Sequence, residues 1–142
     1  MRNFLLLFAG AALLFACAES FEHDPKTAAK RAEEFAQAVF VRRDFDKGYS
    51  MLSESGKRYV SPEKFKETVM KSHPRNYPSK IAATDYEPMA GEKAIYVYLS
   101  GENAGEQFNY TLTLDGTAAS DYKVTRFSRG GTGSGSRQPL NR

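Results

Sequence analysis

The sequence predicts an α+β fold in which helices come first and a four-stranded antiparallel sheet follows. Before Pro78, apolar residues recur at helical spacing; after it they alternate along four short segments. Glycine-bearing turns separate these segments, which favours an antiparallel meander with short connections. A chain of 142 residues is long enough for one domain with one hydrophobic core.

The first helix is predicted from its start signal and its apolar stripe. Asp24 is a typical N-cap, and Pro25 suits the first helical position. The stripe predicts a helix of about five turns that ends near Arg43. Its members are Ala28, Ala29, Ala32, Phe35, Ala36, Val39 and Phe40.

Two further helices are expected before the sheet. A short one spans 44–52, and the residues 53–56 form a turn. Ser61 and Pro62 then repeat the cap-and-proline signal, and Phe65 and Val69 supply the inner face of the third helix. This helix ends at His73, because a residue before proline avoids helical geometry, and we expect His73 to interact with the helix dipole.

The four strands are expected at 80–89, 93–100, 106–114 and 120–128. In the second strand, Ile95, Val97 and Leu99 share one face, and Tyr96 and Tyr98 share the other. Since both faces carry apolar residues, this strand is predicted to be covered on both sides.

The residues 1–16 have the pattern of a signal peptide. A basic start at Arg2 precedes an uncharged apolar run over 4–16, shorter than the roughly 20 residues that span a bilayer. Leu14-Phe15-Ala16-Cys17 resembles a bacterial lipobox, although Phe15 is bulkier than usual there. The resemblance implies that Cys17 becomes the lipidated first residue, carrying a diacylglyceryl thioether and an amide-linked acyl chain such as palmitate.

Cys17 is the only cysteine, so no internal disulfide can form. Two or more acyl chains make a stable membrane anchor. Because Ala18 rather than aspartate follows, the resemblance implies the outer membrane, facing the periplasm, as the address. Ala16-Cys17-Ala18 is also an A-x-A site, and cleavage before Glu19 would instead give a soluble periplasmic or secreted protein.

The charge distribution argues against nucleic acid as a partner. The formal charge is +3, but the body over 18–128 carries 16 basic and 17 acidic residues. The excess of basic residues therefore lies at the ends rather than on a binding face. Residues 17–24 are interpreted as the lipidated N-terminus and linker, and 130–142 as a flexible Gly/Ser tail.

The order of elements over 25–129 resembles the nuclear transport factor 2-like roll. The resemblance is carried by the long helix, the segment Asp46-Lys47-Gly48-Tyr49-Ser50-Met51-Leu52, the helix start Ser61-Pro62-Glu63-Lys64-Phe65 and the four strands. It implies a curved sheet that wraps the long helix around a cone-shaped pocket. Members of this superfamily include isomerases, dehydratases and many binding modules, so the fold does not give the function.

Enzymatic activity is left uncertain, and its absence is favoured. Isomerase-like chemistry needs a carboxyl group with a tuned pKa beside a hydrogen-bond donor; the candidates are Asp85, Tyr86, Tyr110 and Tyr122. Asp85 and Tyr86 are adjacent on a strand and so face opposite ways. Core tyrosines and a solvated aspartate are the favoured interpretation. No catalytic residue, metal site or cofactor is therefore predicted.

Two surfaces are candidates for binding. The first is the outer sheet face, predicted to form a homodimer or to contact an envelope protein through Tyr96, Tyr98, Asn109, Thr111 and Phe127, against the alternative of an ordinary solvated face. The second is the span 57–80, with seven basic and two acidic residues. It could contact anionic lipid or cell-wall polymer, although a solvated helix face is the favoured interpretation.

The sequence therefore favours a non-enzymatic, lipid-anchored cell-envelope protein whose domain binds a protein partner or itself. The alternative is a small-ligand-binding or isomerase-like pocket protein of the same fold.

Overall fold

A computed structural model describes residues 20–130 and 136–141. The helices are α1 (Pro25–Ala36), which continues into a π-helical turn (Gln37–Val41), α2 (Phe45–Ser50), α3 (Glu54–Tyr59) and α4 (Pro62–Lys71). The strands are β1 (Lys80–Pro88), β2 (Ala94–Asn103), β3 (Glu106–Asp115), β4 (Lys123–Arg129) and β5 (Gln138–Pro139). The α+β class and the helices-first order are confirmed.

The strands form one antiparallel sheet in the order β4-β3-β2-β1-β5. The sheet thus has five strands where the sequence predicts four, because Asp85 and Tyr86 of β1 pair with Pro139 and Gln138. Within the segment 130–142 that the sequence predicts to be a flexible tail, the described residues 136–141 include β5. Residues 131–135 lie outside the described part of the chain.

The capping signals place the helices as predicted. Asp24 accepts a hydrogen bond from the Thr27 N–H, and Ser61 accepts one from the Lys64 N–H. The long first helix is not α-helical to Arg43, however. It changes to a π-helical turn at Gln37, and Arg43 closes it with a positive φ of 57°.

The residues 54–56 belong to the helix α3, and Ser53 is its N-cap, where the sequence predicts a turn over 53–56. Ser53 caps α3 by accepting a hydrogen bond from the Gly56 N–H at 3.0 Å. Leu52 and Ser53 also pair with β4, where the Ser53 N–H donates to the Val124 carbonyl at 2.8 Å. This pairing lays α3 against the edge of the sheet.

The core lies between α1 and the inner face of the sheet. Phe35, Val39 and Phe40 are fully buried there, opposite β2 and β3 residues such as Val97 and Leu112. Burying one such large apolar side chain contributes roughly 1.5–3 kcal/mol. The predicted inner face of α4 is confirmed, because Phe65 and Val69 are its buried residues.

Candidate binding groove between α3, α4 and β4

An open apolar groove of about 550 Å³ runs between α3, the start of α4 and β4. Phe65 and Phe127 contribute aromatic rings whose centres are 6.3 Å apart in an edge-on arrangement. Tyr59, at the end of α3, forms part of the wall and is 87% exposed. The other lining residues are Leu52, Gly56, Val60, Thr68, Thr113, Thr125 and Arg126.

A chain of hydrogen bonds holds α3 beside β4 and so keeps the groove in shape. The Ser53 hydroxyl lies 3.0 Å from the hydroxyls of both Ser55 and Thr125, and the Ser55 hydroxyl donates to Asp115 at 2.8 Å. Gly56 packs against the backbone of β4, since a Cβ there would lie 2.8 Å from the Thr125 carbonyl oxygen. Only glycine allows α3 to approach this closely.

The chemistry of the groove suits binding more than acid–base catalysis. Among the described residues, its lining includes no Asp, Glu or His, the side chains that most often act as general bases. The Thr68 hydroxyl donates to the Lys64 carbonyl and Thr125 is engaged with Ser53. Arg126 is exposed and has no ion-pair partner within residues 20–130 and 136–141. The groove is thus apolar with one available cation at its rim.

Phe127 lies on the inner face of the sheet, and its predicted place on the outer face is wrong. It pairs with Leu112 of β3, and its ring centre is 5.2 Å from that of Phe40. The register of β4 shifts between Arg126 and Val124, which leaves Thr125 as a bulge. One extra residue moves the following side chains to the opposite face.

The other predicted interface residues do share the outer face. Tyr96 pairs with Thr113 and Tyr98 with Thr111, on the side opposite Ile95 and Leu114. Asn109 is exposed in the same row. The predicted cover on both faces of β2 is met at Tyr98, because Tyr98 is only 6% exposed.

The cover over Tyr98 comes from the C-terminal segment of the chain. The guanidinium carbon of Arg137 lies 4.0 Å from the centre of the Tyr98 ring, and Arg137 pairs with Asp85 at 2.9 Å. The hydrogen bond from Thr84 and this ion pair hold the pKa of Asp85 below its usual value. Asp85 is therefore an anion with a partner and lacks the raised pKa that suits a general acid.

The four residues considered for isomerase-like chemistry do not converge. Asp85 lies on the outer face beside Arg137, whereas Tyr86 hydrogen-bonds to Gln138 at the β5 edge. Tyr122 accepts a hydrogen bond from the Asp24 N–H at 2.9 Å near the start of α1. Tyr110 lies in the core.

Tyr110 instead forms a buried pair with His73. His73 is 5% exposed; its Nδ1 lies 2.7 Å from the Val69 carbonyl oxygen and its Nε2 lies 2.6 Å from the Tyr110 hydroxyl. Since a carbonyl can only accept, Nδ1 carries the proton, and Nε2 accepts from the tyrosine O–H. Burial lowers the pKa of His73 and raises that of Tyr110.

The predicted interaction of His73 with the end of the helix takes the form of a hydrogen bond from the neutral ring to the Val69 carbonyl in the last turn of α4. The ring stacks on Tyr77 with centres 4.5 Å apart. Within the described ranges, no three His, Cys, Asp or Glu residues are grouped as metal ligands would be.

Three further predictions concern the signal peptide, the lipid anchor and the basic residues of the span 57–80. Cys17 and the signal peptide lie outside the described residues. Among residues 20–130 and 136–141, none of the helices is long and apolar enough to cross a membrane. The basic residues of 57–80 are partly paired, with Lys64 and Lys71 both contacting Glu67.

The sequence reasoning missed the groove and its residues Tyr59, Thr125 and Arg126. One signal was present: the apolar positions Tyr122, Val124 and Phe127 break the two-residue alternation of a strand. Comparisons of the chain with protein-family models, with curated proteins and with solved structures found no match.

Proposed function

We propose that the chain is a non-enzymatic binding module, anchored to the cell envelope through a lipid on Cys17, whose groove between α3, α4 and β4 holds a protein partner. The observation that carries this proposal is the groove itself, where Tyr59 is exposed beside the rings of Phe65 and Phe127 and no acid or histidine is among the described lining residues. Large apolar surface left open beside a polar rim is typical of interaction sites.

The core is filled with side chains, which favours a binding site on the surface and argues against a deep catalytic pocket. Tyr110, Phe35 and Phe108 are completely or almost completely buried where the superfamily resemblance would place a pocket. The nuclear transport factor 2-like roll is the fold that we propose for the helices and for β1 to β4. The fifth strand would be an addition of this chain to that arrangement.

Photocrosslinking in intact cells tests the groove. A photoreactive amino acid replaces Tyr59 in the groove wall, and in a matched variant it replaces Tyr96 on the outer sheet face. We expect Tyr59 to crosslink to one defined protein and Tyr96 to give no such product. If Tyr59 gives no crosslinked protein, or if both positions give the same products, the proposed function is wrong.

The envelope address is tested by the mass of the mature N-terminus. Lipidation predicts a first residue at Cys17 with a diacylglyceryl group and an acyl chain, recovered with the outer membrane. Cys17→Ser should release the protein from the membrane fraction. A mature chain that begins at Glu19 would favour the secreted alternative.

Two alternatives each have an observation in their favour. The groove volume of about 550 Å³ lies within the roughly 300–1,000 Å³ of small-ligand sites, which favours a small-ligand-binding protein. A bound small molecule recovered by native mass spectrometry would support it.

Tyr96, Asn109 and Thr111 still share the outer face, which favours a homodimer there. A monomeric mass in light scattering at high concentration would exclude this dimer.

A further inference from the structure

The outer edge of β4 is partly covered by the chain itself. At one end, Leu52 pairs in parallel with Val124, and the Ser53 N–H donates to the Val124 carbonyl at 2.8 Å. At the other end, the Arg129 guanidinium donates to the Ser72 carbonyl at 2.7 Å across the end of α4. The edge between these two contacts borders the groove.

Along this stretch, the backbone N–H and C=O groups of every second β4 residue point away from β3, toward the open edge. The Gly130 N–H donates to the Asn109 carbonyl at 2.7 Å, which directs Gly130 toward β3. Because hydrogen-bonding direction alternates along an antiparallel pair, the amides of Phe127 and Arg129 point to the open side. Between the contacts at Val124 and Arg129, the residues 125–128 cover roughly 10 Å at about 3.3 Å per residue, which leaves room for a short stretch of an added strand.

The groove lies where alternate side chains of such a strand would enter. Leu52 and Ser53 already occupy the position next to β4, and the groove beside Thr125 and Phe127 continues from it. A strand that adds to a sheet edge gains affinity from main-chain hydrogen bonds and specificity from pockets for its alternate side chains. The apolar lining fits aliphatic side chains.

The positive charge of Arg126 at the rim of the groove favours a bound segment that carries an acidic side chain. Arg126 is exposed on β4, lines the groove and has no ion-pair partner in the described part of the chain. The groove lining contributes no acid that could neutralise it. A carboxylate on the incoming segment would therefore complement the rim.

From this geometry we propose that the β4 edge and the groove together bind an extended peptide segment of a protein partner, as an added strand. The segment places aliphatic side chains in the groove and a carboxylate at Arg126. This inference rests on the proposed function and specifies the kind of partner.

The test selects phage-displayed random eight-residue peptides against the full chain held in detergent. We expect the selected sequences to alternate aliphatic residues and to carry an Asp or Glu. The best peptide is then synthesised, labelled for fluorescence anisotropy, and compared with versions that are N-methylated at single backbone positions. Losing one main-chain hydrogen bond should weaken binding by about tenfold.

Two charge reversals on the same strand serve as matched variants. Arg126→Glu should lower the affinity for the peptide by at least about tenfold, because it places the new glutamate next to the carboxylate of the peptide. Lys123→Glu, which makes the same charge change at the far end of β4, should leave binding within about twofold. Binding should also slow hydrogen exchange at the Phe127 and Arg129 amides.

The outcomes separate this inference from the proposed function. Selected peptides without an acid, no enrichment at all, or binding unaffected by every N-methylation would overturn the added strand. Displacement of the peptide by dodecanoate at equal or lower concentration would assign the groove to an acyl chain. If the peptide results fail in one of the first three ways while Tyr59 still crosslinks to a protein in cells, the proposed function stands and only the added strand is wrong.

Discussion

Removing the hydroxyl of Tyr110 should destabilise the protein more than its small size suggests. Tyr110→Phe keeps the stacking on Phe40, whose ring centre is 4.2 Å away, so the aromatic packing is retained. What is lost is the O–H that donates to His73 Nε2 at 2.6 Å. The buried Nε2 is then an acceptor without a donor, which costs about 1–3 kcal/mol.

This cost is a large fraction of the total stability of a domain, which is typically about 5–15 kcal/mol. Urea denaturation of the purified chain at pH 7.5 measures it, and the midpoint of thermal unfolding should fall by roughly 8 °C for about 2 kcal/mol. Tyr96→Phe on the outer sheet face is the matched control, expected to change stability by less than about 0.5 kcal/mol. If Tyr110→Phe changed stability as little as the control, the buried hydrogen bond would not have the importance assigned to it.

Three further predictions concern the core, the groove and the C-terminal segment. The folded state keeps His73 neutral below the ordinary pKa of 6.5, so the unfolded state binds more protons. The free energy of unfolding should therefore not depend on His73 above about pH 6.5, and it should fall below that pH by up to about 1.4 kcal/mol per pH unit. Urea denaturation midpoints between pH 5 and 7.5 measure this. Gly56→Ala should cost about 1–3 kcal/mol in urea denaturation, because its Cβ would lie 2.8 Å from the Thr125 carbonyl oxygen. Arg137→Ala should cost about 1 kcal/mol and speed hydrogen exchange in β1, since it uncovers Tyr98.

Each of these has its own control. His73→Gln should remove most of the pH dependence above pH 5, and an unchanged slope would assign it to other groups. Glu54→Ala alters the same helix as Gly56 at an exposed position and should be almost neutral; equal losses in both variants would contradict the close approach of α3 to β4. Lys123→Ala removes a cation that stacks on no aromatic ring of the described residues, so it should leave hydrogen exchange in β1 unchanged.

The local signals in the sequence were sufficient for most of the elements. Asp24 and Ser61 cap their helices as predicted, because the capping hydrogen bond involves residues only three apart. Phe65 and Val69 are buried for the equally local reason that they share one helix face. In β3 every second residue from Phe108 to Leu114 is buried, which follows the alternation of apolar and polar residues in that part of the sequence.

The elements that sequence reasoning missed depend on distant contacts. Ser53-Glu54-Ser55-Gly56 has turn-like composition, and it becomes helical where Ser53 caps the helix and pairs with β4. The tail has the composition of a flexible linker, yet Arg137 finds Asp85 and Tyr98 on the sheet. Neither contact has a signature in the local sequence, because each joins residues more than 35 positions apart.

The bulge at Thr125 links the failed prediction to the candidate site. Strict alternation would place Phe127 on the outer face, and β4 would then present no aromatic ring to α4. With one extra residue, Phe127 turns inward toward Phe65 and becomes part of the groove lining. Bulges occur preferentially at sheet edges, where they re-aim a side chain. The bulge at Thr125 therefore has two effects: it makes the alternation of β4 misleading in the sequence, and it brings Phe127 into the groove. The edge of β4 is where we expect a partner to bind.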